Sequence, residues 1–149
     1  MNAPPPSLKG RALRLLSGRE YSRAELERKL KSHEDAPGAL AQALDDLQAK
    51  DFINEARVVE SVLHRRAPKL GTQRIRQELQ AKGLEPEAVA QAVAQLRTTE
   101  VERARGVWQK KFGEPAVDAA ERGKQMRFLA ARGFGGDAIR KVVSGGDED

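Results

Sequence analysis

At 149 residues the chain has the length of one ordinary domain, or of a few small units on a shared core, and it contains no cysteine. That composition removes disulfides, thiolate zinc sites, iron–sulfur clusters and a cysteine nucleophile together. Charged residues make up 33%, 27 basic against 22 acidic for a net charge of +5, a balance that suits a solvated helical protein with a polyanionic partner.

The head, residues 1–8, is proline-rich and reads as a flexible tail. Its MNAPPPSLKGR stretch has no apolar signal-peptide core, and no later run approaches the roughly 20 apolar residues of a membrane span. A soluble, cytoplasmic chain with no membrane partner is expected. From residue 9 onward apolar residues recur at spacings of three and four, and strand-like alternation is scarce, so the class is all-α. The first helices are predicted over 9–17, 22–33 and 38–50. Ser22 and Glu25 form a capping box, with Tyr21 and Leu26 as its hydrophobic staple. The next three are predicted over 54–67, 72–82 and 86–98. There Leu70 and Ile75 keep the staple, Gly71 replaces the serine cap, Pro86 suits a first helical turn and Gly83 ends a helix. The last three are predicted over 100–112, 118–132 and 137–144, with Asp118 and Glu121 as another capping box and Gly133 in the place of Gly83. Residues 145–149 are glycine-rich and acidic and read as a second flexible tail.

The order of these helices is a repeat. A shift of 49 carries Leu26, Leu30, Leu40, Leu44 and Leu47 onto Ile75, Leu79, Val89, Val93 and Leu96. A shift of 50 carries Leu79, Gly83, Leu84, Val89 and Val93 onto Leu129, Gly133, Phe134, Ile139 and Val143. Three tandem three-helix modules are therefore predicted, at 9–53, 54–99 and 100–144, forming an elongated, curved body.

Enzyme constellations are missing. RGFGG at 132–136 has neither the lysine nor the preceding strand of a phosphate loop and reads as a turn. His33, Glu34 and Asp35 are chain neighbours whose side chains diverge, so a solvated corner is preferred to a metal site. Neither catalysis nor a cofactor is expected. Trp108, Phe112, Phe128 and Phe134 are assigned to packing. What remains is charge. Arg65, Arg66, Lys69, Arg74, Arg76 and Lys82 face a single acid, Glu78, between residues 64 and 82, and Lys110, Lys111, Arg122, Lys124, Arg127 and Arg132 form a second group. Together they predict a basic stripe for phosphates or an acidic protein face, although charge alone fits a plain solvated surface equally well.

Three stretches in register with the repeat resemble the RecX family, regulators of the RecA recombinase. They are Tyr21, Ser22, Glu25 and Leu26; then Gly71, Arg74, Ile75, Glu78, Leu79, Lys82 and Gly83; then Arg132, Gly133 and Phe134. Two departures are Asn54 with Glu55, where the family often has an acidic pair, and the longer HEDAPG corner at 33–38. The resemblance implies a monomeric protein without catalysis or cofactor that lodges in the groove of the RecA filament on single-stranded DNA. It implies suppression of ATP hydrolysis, strand exchange and coprotease activity, and with it a part in DNA repair, recombination and the SOS response. Two other readings stay open from the residues. One is a helix-turn-helix reader of duplex DNA, with the helix at 72–82 in the major groove. The other is a helical scaffold with no nucleic-acid role.

Overall fold

The computed structural model describes residues 5–144, so the first four residues of the head and the acidic tail lie outside the described residues. Nine α-helices and no strand occur among the described residues. In the first module α1 spans Leu8–Leu16, α2 spans Arg23–Leu30 and α3 spans Ala39–Ala49. The second holds α4 (Glu55–Arg66), α5 (Thr72–Ala81) and α6 (Pro86–Arg97), and the third α7 (Glu100–Lys111), α8 (Ala119–Ala131) and α9 (Gly136–Val143).

Helix starts follow the side chains that satisfy orphan amides. Ser22 and Glu25 close their capping box in both directions, and Asp118 accepts from the Glu121 amide at 2.8 Å. Asn54 accepts from the Arg57 amide at 3.0 Å, and Gly71 leaves α5 without a side-chain cap. The helix expected to reach residue 33 ends earlier, at Leu30, and tightens into a 3₁₀ turn over Lys31–His33. Behind that turn lies the HEDAPG corner. There Glu34 receives the Leu40 amide at 2.9 Å and Lys31 at 3.3 Å, so a side chain from outside α3 satisfies an amide of its first turn. The Leu40 amide and then Lys31 hold the Glu34 carboxyl below its ordinary range.

Each module buries its own apolar stripe, in three separate clusters. Positions equated by the repeat coincide: Leu26 with Ile75, Leu30 with Leu79 and Leu129, Leu40 with Val89 and Ile139 are all buried. Val93 departs from the pattern. It is only partly buried, because α6 turns Val89, Ala92 and Leu96 inward, a three-then-four spacing where α3 uses four-then-three with Leu40, Leu44 and Leu47. In the third module Phe134 is buried, and Phe112 meets Phe128 edge to face with centroids 5.3 Å apart. Trp108 is partly buried rather than enclosed, and its indole Nε1 donates to the fully buried Gln125 at 2.9 Å.

The modules meet at two equivalent joints. At the first, the start of α2 abuts the end of α5. Ser22 Oγ donates to the Lys82 carbonyl at 2.6 Å, and a β-carbon on Gly83, whose φ is +71°, would stand 2.7 Å from that of Ala24. At the second, the start of α5 abuts the end of α8, and the Gly71 amide donates to the Arg132 carbonyl at 2.8 Å. Gly71 and Gly133 touch backbone to backbone, leaving no room for a β-carbon on Gly71. In both joints a positive helix start faces a negative helix end.

Candidate interaction surface

Helix ends supply four of the twelve predicted basic residues, where cations also complement the dipole: Arg65 and Arg66 in the last turn of α4, Lys110 and Lys111 in the last turn of α7. Arg65, Lys69, Lys110, Arg122, Lys124 and Arg127 are exposed and make no ion pair among the described residues. Helix periodicity puts Lys124 and Arg127 on one face of α8 and Arg122 on another, so these three do not converge. Arg66 pairs with Glu78 at 3.0 Å. Arg76 edges a groove of about 500 Å³ with Leu84, Val89 and Val93, and Arg97 also lines it. Lys111 and Arg132 both approach the Phe128 ring, at 5.3 and 3.9 Å from its centroid. Rings so placed attract cations by roughly 0.5–1 kcal/mol at exposed sites.

Two members of the expected stripe serve the joints instead. Lys82 is buried: its ammonium lies 2.9 Å from Glu25 and its carbonyl receives Ser22, so it is withdrawn from any docking surface. The reason is the repeat itself, which sets the last residue before the Gly83 turn against the cap of α2. Arg74 keeps an exposed side chain, but its guanidinium donates to the Ala131 carbonyl at 2.8 Å, tying α5 to α8. Burial pushes the Glu25 carboxyl up, while the Ser22 amide, Lys82 and Arg19 outweigh it and hold its pKa at about 2.

Sequence reasoning missed Arg103 and Arg57. Arg103 donates to the carbonyls of Ala67, Leu70 and Leu96 and to Thr72 Oγ1, at 2.6–3.1 Å, and burial pushes its pKa down. Its signal was a charge at the fourth residue of α7, where the fourth residue of α4 is the core residue Val58. Arg57 bridges Glu20 and Asp51 across the first joint, at 3.0 and 2.9 Å. Among the described residues no cluster of three potential metal ligands forms, and no helix is long and apolar enough to cross a membrane.

Comparison with known proteins matches this arrangement module by module. Family models described as the first, second and third three-helix domains of RecX match residues 9–47, 54–93 and 98–143. The regulatory protein RecX of Leptothrix cholodnii is 51% identical over 148 residues, covering 99% of this chain and 94% of that one. That of Ralstonia nicotianae is 45% identical over 143 residues, covering 96% and 90%. The crystal structure of RecX from Lactobacillus salivarius superposes with a TM-score of 0.79 at 23% identity, covering 94% of each chain, a likeness of fold. With nearly its whole length aligned and all three of its modules matched, the chain belongs to the RecX family of regulatory proteins.

Proposed function

We propose that this chain is a non-enzymatic, cytoplasmic modulator of the RecA recombinase that acts as a monomer. It binds the RecA filament on single-stranded DNA and suppresses ATP hydrolysis, strand exchange and coprotease activity, and so restrains repair, recombination and the SOS response. The observation that carries this reading is the family match across all three modules. We take the module limits as 9–53, 54–99 and 100–144. The exposed cations Arg65, Lys69, Lys110, Lys111, Arg122, Lys124 and Arg127 and the half-exposed Arg76 are the proposed contacts, with Arg66 and Arg132 at their margins. A basic surface of this kind meets phosphate or carboxylate, with or without direct contact to the DNA.

The test is the rate of ATP hydrolysis by RecA on single-stranded DNA as the protein is titrated to saturation. A slowed rate is expected, and an unchanged rate at saturation overturns the reading. A duplex reader would instead protect one sequence and discriminate strongly against random DNA. Against that alternative stands the geometry of α5: Ile75 and Leu79 are fully buried, Arg74 is tied to α8 and Lys82 to α2, so only part of this helix is free to enter a groove.

A further inference from the structure

In the first module the cations are sorted. Lys9 pairs with Asp46, Arg19 with Glu25, Arg23 with Glu27 and Asp45, Lys31 with Glu34 and Lys50 with Asp46, while Arg28 donates to the Ala81 carbonyl. Arg11, Arg14 and Lys29 have no such partner among the described residues, and all three line one groove of about 600 Å³ between α1 and α2, together with His33. The groove's aliphatic wall is the partly buried Leu15, with the buried Leu30 beneath. Arg11 and Arg14 stand one turn apart on α1, where like charges repel. The module's net charge is close to neutral, so this concentration arises from where its acids are spent and not from an excess of base.

We propose that this groove binds an acidic peptide segment carrying an aliphatic side chain: the side chain covers Leu15, and the flanking carboxylates meet Arg11, Arg14 and Lys29. Charge complementarity and the apolar wall together select this occupant. A nucleic-acid strand would satisfy the cations but set charged phosphates over leucine, and no Phe, Tyr or Trp lines the groove to stack a base. The volume suits a few side chains, in the size range of ligand pockets.

Fluorescence anisotropy of the full chain tests it, with a short dye-labelled peptide of acidic residues flanking one leucine. A peptide with glycine at that place and an oligothymidylate of similar charge are the comparisons. Burying a leucine is worth about 1.5–3 kcal/mol, so the leucine peptide is expected to bind at least about tenfold tighter than the glycine one. The Arg11→Glu/Arg14→Glu double variant is expected to lose about tenfold or more while its far-UV circular dichroism stays that of the parent. If that variant does not fold, Lys29→Glu, on an exposed position of α2, replaces it. Equal binding of the two peptides, unchanged binding by the folded variant, tighter binding of the oligothymidylate, or pairing of two copies through this groove without peptide each overturns the proposal. RecA is absent from the assay, so its outcome is independent of the filament reading.

Discussion

Glu25 holds three partners on one carboxylate: the Ser22 amide and the Lys82 ammonium, at 2.8 and 2.9 Å, and the Arg19 guanidinium at 3.1 Å. Its folded pKa of about 2 lies below the ordinary 4.5, so the stability it contributes is complete above pH 4.5 and disappears as pH falls toward about 2. With solvent screening allowed for, that contribution is on the order of 2 kcal/mol. Glu25→Gln should therefore lower the urea midpoint at pH 7 and cost little at pH 2, in paired urea titrations across that window. A gap of the same size at both ends would contradict the assignment. Glu25 was legible in the sequence as a capping residue, because Ser22 stands three places before it. Its second bond was not, since Lys82 is 57 positions away and reads as one more surface cation beside Arg74 and Arg76.

Helix by helix, the sequence predicts more than it does at single charges. Periodic apolar spacing and side-chain caps placed most helix limits within one or two residues, since both signals are local. Where the limit depends on a distant contact the signal fails. Thus α2 stops at Leu30 because Glu34 reaches forward to α3, and α6 turns Ala92 rather than Val93 inward. The joints were illegible for the same reason, although Gly71 was marked as the cap that starts one helix and Gly133 as the end of another. Their contact gives a sharp expectation. Gly71→Ala pushes a β-carbon into the backbone at Gly133 and should cost about 1–3 kcal/mol by thermal or urea unfolding. Gly106→Ala, in mid-helix where a β-carbon meets nothing, should be neutral or stabilise by up to about 1 kcal/mol. Equal effects of the two substitutions would remove the backbone contact from the account.

Across the whole molecule, the hydrogen bonds between modules among the described residues run from first to second and from second to third. Such a series unfolds as one unit only while its joints hold. Arg103 supplies four of the bonds around the second joint, three of them to carbonyls in the second module, and their loss would cost about 2–3 kcal/mol. The chain has a single tryptophan, Trp108, in the third module, so its fluorescence reports that module while far-UV circular dichroism reports all the helices. For the parent the two urea transitions should coincide. In Arg103→Ala the fluorescence change should come first, and coincident curves in that variant would show that the joint does not depend on Arg103. At this scale the threefold order was readable from the recurrence of Leu, Ile and Gly. The interaction surface was readable only as a surplus of charge, because which cations are consumed at joints depends on contacts between modules. The two joints also differ mechanically. The second holds backbone to backbone, through the Gly71 and Gln73 amides on the Arg132 and Gly133 carbonyls, with Arg74 and Arg103 reaching across beside them; the first, among the described residues, is bonded only through the side chains of Ser22, Arg28, Arg57 and Lys82, which have torsions to spare. A load that bends this molecule is therefore absorbed near Ser22, while the second and third modules travel together as a stiff lever.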